Sequence, residues 1–193
     1  MRHAVTVVPA LALVVAAVVG CAETEPLHHV SPETGISADL LITTAWDDEG
    51  LDWELHLVKP GGRINDDATD CTWTSCIDAS PDWGALSDPS DDPHKDVDNT
   101  DADGPEHIRL SGLEDGAYTV MVEHWSPAGS AHSDGDTSVD ILGHVVDVGI
   151  HDFAPEHVWT VARVHWPEAH VEVVDDVVDC SADWDNGCHA ALP

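Results

Sequence analysis

Carboxylates that could bind calcium are concentrated in one stretch of the sequence. Residues 88–106 read DPSDDPHKDVDNTDADGPE, and the candidate ligands among them are Asp96, Asp98, Asp101, Asp103 and Glu106. Calcium takes six to eight oxygen ligands, and acidic residues at alternate positions before a glycine turn can surround one ion. Asn99, Asp101, Asp103 and Gly104 have that arrangement. We therefore expect a calcium site in this block.

The block does not complete an EF-hand. The position that requires a bidentate glutamate is Leu110, and Glu106 comes four residues too early. No flanking helices are predicted. Two alternatives stay open: a calcium loop of another type, or an acidic loop that is only solvated.

Two further acidic residues lie on a predicted strand at residues 51–58. Asp52, Glu54 and His56 alternate there with apolar residues. Because successive side chains of a strand point to opposite faces, these three share one face and the apolar residues share the other. Asp52 and Glu54 therefore project together from one side of the strand.

The charge of the chain limits its partners. With 38 Asp and Glu against 6 Lys and Arg, the formal net charge is −32. Such a surface repels nucleic acid and anionic lipid, and it attracts cations. Calcium is one way to relieve the self-repulsion, and adaptation of the whole surface to high salt is the other.

The N-terminal residues predict export and lipid attachment. An apolar stretch at residues 5–19 follows Arg2 and ends in Val18, Val19, Gly20 and Cys21, which is similar to a bacterial lipobox. We expect residues 1–20 to be a signal peptide, Cys21 to be acylated, and residues 21–37 to be a flexible tether. Because Ala22 follows the cysteine, we expect anchoring in the bacterial cell envelope at the outer membrane.

The remaining cysteines form two local pairs. Export to an oxidising compartment favours disulfides over metal thiolates. We expect Cys71 to pair with Cys76 and Cys180 with Cys188. Neither spacing fits a common zinc site.

Short alternating segments predict an all-β protein. They cover residues 39–46, 51–58, 107–110, 117–125, 137–142, 144–150, 157–166 and 171–178, with turn residues between them. Seven or eight such strands without helical periodicity indicate one antiparallel β-sandwich. We place the sandwich at residues 38–168 and a C-terminal strand with a disulfide-closed tail at residues 169–193. Residues 63–106 form a long acidic, disulfide-bearing loop, which implies a function for it.

No motif of a known catalytic centre is present. The chain lacks the nucleophile elbow, the phosphate-binding glycine loop and the zinc-protease helix motif. Histidine is spread through the chain, so surface and core roles are favoured over zinc. Trp73, Trp83 and Trp125 could stack on a sugar or a partner, but for Trp83 we favour a core position under the disulfide loop.

Several motifs in order resemble the YfaP-type family of uncharacterised bacterial β-sandwich domains. They are LDWELHLVKPG at residues 51–61, the cysteines at 71 and 76, SPDWG at 80–84, DDP at 91–93, DVD at 96–98, GPEHI at 104–108 and GAYTV at 116–120. The resemblance covers residues 38–167. Glu54 stands where the family strand has a second aspartate, and Asp103 departs from its glycine pattern. The resemblance implies a fold and export, without a reaction.

Together these observations define the expected function. The resemblance implies that an acidic strand pair accompanies the acidic loop, so we add Asp52 and Glu54 to the expected calcium ligands. We expect a lipid-anchored, calcium-stabilised β-sandwich without catalytic activity that binds an envelope protein or glycan, or acts as a structural module. The alternative is a secreted hydrolase of glycans or peptides that uses the acidic loop.

Overall fold

The structure is a computed structural model that describes residues 38–48, 50–100, 104–126 and 130–182. The predictions made for Cys21, Asp101, Asp103 and Cys188 lie outside these residues. Among the described residues, no helical segment has the length and hydrophobicity of a membrane span.

The predicted antiparallel β-sandwich is confirmed. Ten strands form two sheets of five, and the first sheet has the order β4-β5-β1-β7-β8 while the second has the order β10-β9-β6-β2-β3. The elements are β1 (Leu40–Trp46), β2 (Trp53–Val58), β3 (Asp70–Cys71), α1 (Trp73–Cys76), β4 (His94–Lys95), β5 (Glu106–Leu110), β6 (Gly116–His124), β7 (Ser133–Ile141), β8 (His144–Phe153), β9 (His157–Trp166) and β10 (His170–Asp179). The eight longer strands overlap the predicted segments, although β7 begins four residues earlier and β8 ends three residues later than predicted, and β3 and β4 are additional.

Alternating apolar residues of both sheets build the core, as the strand patterns predict. Trp53 lies at its centre with no exposed surface. Its ring stacks on Trp46 at 5.7 Å and meets Phe153 edge-on at 5.0 Å, and its Nε1 donates to Oγ of Ser133 at 2.9 Å. Gly135 allows this packing, because a Cβ there would lie 2.6 Å from the Trp53 ring.

The long acidic loop is ordered by short elements instead of remaining irregular. β3 pairs with the end of β2, α1 follows at once, and β4 pairs with β5. The predicted disulfide between Cys71 and Cys76 is present and closes over α1. Trp83 is buried, as predicted, and its Nε1 donates to the carbonyl of Ala68 at 3.0 Å. The loop therefore packs against the sandwich edge.

The C-terminal strand β10 belongs to the second sheet, where it pairs with β9 from His170 to Asp179. The expected boundary at residue 169 therefore separates consecutive strands of one sheet. Cys180 is disulfide-bonded. Its expected partner, Cys188, lies in the part of the chain that the structure does not describe.

Candidate cation site at the sandwich edge

The candidate site lies where one edge of each sheet comes together. Strand β2 pairs with β3 only at Leu57 and Val58, so the beginning of β2 lacks a strand on that side within the described residues. Glu106, the first residue of β5, occupies this gap, and its Oε2 accepts a hydrogen bond from the backbone N–H of Leu55 at 3.0 Å. A carboxylate thus takes the place of a strand partner and joins the two sheets.

Lys95 is the central side chain of the site. Its Nζ lies 2.5 Å from Oε1 of Glu54 on β2 and 2.8 Å from Oε2 of Glu106 on β5. Lys95 and Glu106 have no exposed surface, and Glu54 is 3% exposed. Buried charges require partners, and this ammonium and these two carboxylates satisfy one another across the sheets.

The loop supplies the other hydrogen bonds to the two buried carboxylates. Oε1 of Glu54 also accepts from the hydroxyl of Thr72 at 2.5 Å and from the backbone N–H of Trp73 at 2.9 Å. Oε1 of Glu106 accepts from the backbone N–H of Asn99 at 3.0 Å. The disulfide-closed turn is therefore hydrogen-bonded to Glu54, and the acidic block is hydrogen-bonded to Glu106.

Two further carboxylates lie beside the buried triad. Asp98 offers an oxygen that, with one from Glu54 and one from Glu106, forms a group within 4.8 Å. Asp52 and Asp98 are both partly exposed. The Oδ1 atom of Asp52 is buried without a hydrogen-bond partner among the described residues. Four carboxylates therefore interact with one ammonium, and among the described residues neither Asp52 nor Asp98 forms an ion pair with a base.

The pKa values reflect this excess of negative charge. Burial, followed by repulsion from Asp98 and Glu54, raises the pKa of Asp52 to about 6. Burial raises the pKa of Glu106 to about 7, with repulsion from Glu54 adding to it and Lys95 opposing it. Burial and Glu54 also raise the pKa of Asp98. A proton or another cation is therefore favoured at this site.

The structure brings together only part of the predicted ligand set. Asp52, Glu54, Asp98 and Glu106 converge. Asp96 does not: it follows β4 directly and is exposed. Asp96 pairs instead with Arg109 and lies 3.6 Å from Nε2 of His94.

Sequence reasoning missed Lys95, the residue at the centre of the site. One signal was available: Lys95 is one of only two lysines, and it stands inside the most acidic block of the chain. A single base among many acids is a candidate internal counterion, because the self-repulsion around it is strong.

A second buried charged group lies on the outer face of the second sheet. Nδ1 of His56 is 2.8 Å from Oδ2 of Asp70, and Nε2 is 3.7 Å from Oε2 of Glu123. Burial alone would lower the pKa of His56, but the two carboxylates raise it well above its usual range. His56 thus acts as a buried cation that holds β3 against β2, in keeping with the core role favoured from sequence.

His124 lies on β6, opposite Trp53 of β2. Its pKa shifts in the opposite direction from that of His56. Its Nδ1 donates to the carbonyl of Phe153 at 3.1 Å, and burial lowers its pKa to about 4. The imidazole is therefore neutral within the core.

Comparison with protein-family models, curated proteins and solved structures finds no match for this chain. The resemblance to the YfaP-type family therefore stays a prediction, and the site is interpreted from its own geometry.

Proposed function

We propose that this chain is a lipid-anchored, non-catalytic accessory module of the bacterial cell envelope whose acidic edge site binds calcium. The observation that supports the proposal is the charge of the site. Asp52, Glu54, Asp98 and Glu106 surround the single ammonium of Lys95. When all four acids are ionised, the site carries three uncompensated negative charges, which a divalent ion would reduce to one.

The site divides into an inner and an outer half. The inner half is Glu54 and Glu106, whose charges are held by Lys95 and by hydrogen bonds from the loop. The outer half is Asp52 and Asp98, which are partly exposed and reachable from solvent. Calcium would bind at the outer half, with water completing its six to eight oxygen ligands. Asp101 and Asp103 remain expected ligands on the sequence alone.

We favour a non-catalytic role because the two inner carboxylates of the site cannot reach a substrate. A hydrolase that used two carboxylates as acid and base would need both to reach a substrate. Glu54 and Glu106 are buried and bound to Lys95. These two are therefore not available to a substrate. Because the proposal assigns the two accessible carboxylates, Asp52 and Asp98, to calcium, a binding or structural role is favoured over the hydrolase alternative.

The proposed localisation in the cell envelope is based on the sequence around Cys21. Mass spectrometry of the protein made in a bacterial host should show an acylated cysteine at this position. An unmodified Cys21 in the membrane fraction would contradict the anchor and leave the calcium proposal untouched.

Thermal unfolding of the full chain tests the calcium proposal. A ligand that binds only the native state raises the midpoint. We expect calcium to raise it above the value in chelator, and sodium at matched ionic strength to raise it less, since screening is not selective for a site. Asp98→Asn should reduce the calcium effect.

Asp147→Asn is the matched control. Asp147 is exposed on β8, at the opposite edge of the first sheet from β4. This variant removes the same charge and should keep the full calcium effect. Equal midpoints in calcium and in matched sodium would instead favour a salt-adapted surface without a calcium site.

A further inference from the structure

Two exposed tryptophans lie next to residues of the acidic site, Trp73 next to Glu54 and Trp125 next to Asp52. Trp73 is 48% exposed and Trp125 is 45% exposed. In contrast, Trp53 and Trp83 are buried in the core. An exposed indole offers a large rigid contact surface at a small entropic cost, which is why tryptophan is enriched at binding interfaces.

Backbone hydrogen bonds place the main chain of both tryptophans beside acidic residues of the site. The N–H of Trp73 donates to Oε1 of Glu54 at 2.9 Å, and the N–H of Trp125 donates to the carbonyl of Asp52 at 2.8 Å. The ladder between β2 and β6 pairs Trp53 with His124, so Asp52 and Trp125 are opposite one another in its continuation. Opposite residues of an antiparallel pair point to the same face. Trp125 therefore flanks Asp52.

The charge of this surface selects the class of ligand. Indole faces attract cations through their quadrupole, and carboxylates attract them directly. The chain itself shows both contacts: Nζ of Lys59 lies 5.8 Å from the centre of the Trp83 ring, and Lys95 pairs with Glu54 and Glu106.

A second copy of this chain does not fit as the occupant. Its net charge of −32 opposes self-association. Among its six Lys and Arg, Lys95 is buried, Lys59 lies 3.5 Å from Glu114, and Arg109 is paired with Asp96, although Arg63 is exposed. A partner with net positive charge therefore fits this surface better than a second copy of the chain does.

We propose that Trp73, Trp125, Asp52 and Asp98 form a docking surface for an arginine- or lysine-bearing segment of another envelope protein. The guanidinium or ammonium group lies against an indole and pairs with the carboxylates of the outer half. The proposal rests on the accessory role proposed above and names the partner of the same site. Because Asp52 and Asp98 are shared, calcium and the basic segment compete.

Calorimetric titration of the full chain in chelator tests this surface. The probe is a short glycine–serine peptide with two arginines, and the reference is the same peptide with citrulline in place of arginine. We expect the arginine peptide to bind and the citrulline peptide to bind at least about threefold more weakly. Trp73→Ala and Trp125→Ala should each weaken binding by about threefold or more.

Two controls separate this site from general attraction to an acidic protein. Val145→Ala removes an exposed apolar side chain of β8, and Asp147→Asn removes a charge from the same strand. Both should bind the arginine peptide as the unmodified chain does. Asp52→Asn should bind it less well, and added calcium should displace it.

Several outcomes would overturn the docking surface. Equal binding by the tryptophan variants and by Val145→Ala would show non-selective attraction. Binding of a neutral oligosaccharide, with no preference for the arginine peptide over its citrulline form, would identify a glycan site. If calcium binds but the peptide does not, the docking proposal alone fails; if the peptide binds but calcium does not, the calcium proposal alone fails.

Discussion

Nζ of Lys95 on β4 lies 2.8 Å from Oε2 of Glu106 on β5, and this ion pair has no exposed surface. Replacement of the lysine would leave Glu106 and Glu54 buried without a counterion. We expect Lys95→Met to lower the free energy of unfolding by about 3–5 kcal/mol at neutral pH, because loss of one partner of a buried ion pair leaves an uncompensated charge. Denaturant unfolding measures the change.

Lys59→Met is the control for this substitution. Lys59 is 26% exposed and lies 3.5 Å from Glu114, so its pair is screened by solvent. We expect a loss of about 1 kcal/mol or less. Similar losses for the two variants would contradict a special role for Lys95.

The acidic site should make stability depend on pH. Asp52 and Glu106 have folded pKa values of about 6 and about 7, above the unfolded values of about 4. The folded chain therefore binds more protons than the unfolded chain in this window, and the free energy of unfolding should fall as the pH rises through it. The measurement is denaturant unfolding in chelator across this pH range.

Asp52→Asn removes one of the titrating groups and should flatten that dependence. Asp147→Asn, far from the site, should leave the slope unchanged. An identical slope in the unmodified chain and in both variants would show that the pH dependence comes from general surface charge.

The pKa values of the buried residues His56 and His124 should be shifted in opposite directions from the usual value for histidine. We expect nuclear magnetic resonance to find His56 protonated at neutral pH and His124 neutral down to about pH 4. The raised pKa of His56 means that its stabilising effect is present below about 6.5 and is lost as the pH rises through the folded value. The lowered pKa of His124 means that its contribution is lost as the pH falls towards about 4. A neutral His56 at pH 7 would contradict its role as a buried cation.

The disulfide between Cys71 and Cys76 closes a short loop that positions α1 over Glu54. Its loss in Cys71→Ser/Cys76→Ser should lower the free energy of unfolding by about 2 kcal/mol, the value for a loop of this length. The calcium effect on stability should also shrink, because Trp73 donates its backbone N–H to Glu54. An unchanged calcium effect would show that this turn does not contribute to calcium binding.

Local pattern was sufficient to predict most of the fold. The alternation at Leu40 and Ile42 predicts β1, and the alternation after Asp52 predicts β2 with two acids on one face. The short spacing of Cys71 and Cys76 predicts their disulfide. Each of these features depends on neighbours within a few residues, so the sequence displays it directly.

The centre of the site depends on contacts that local pattern does not display. Strand β4 has two residues, too few for a period, and it forms because Lys95 pairs with Ile108 on β5. Lys95 is buried in that pairing, whereas Asp96, the residue after β4, is exposed. The acidic block alone does not distinguish buried from exposed positions, so the sequence predicts Asp96 as a ligand and does not identify Lys95.

A crystal structure of the full chain grown in calcium would locate the ion. We expect it about 2.4 Å from carboxylate oxygens of Asp52 and Asp98. We also expect Lys95 still to bridge Glu54 and Glu106. An outer half that contains only water at saturating calcium, or an ion that displaces Lys95 from the two glutamates, would contradict the proposed calcium site.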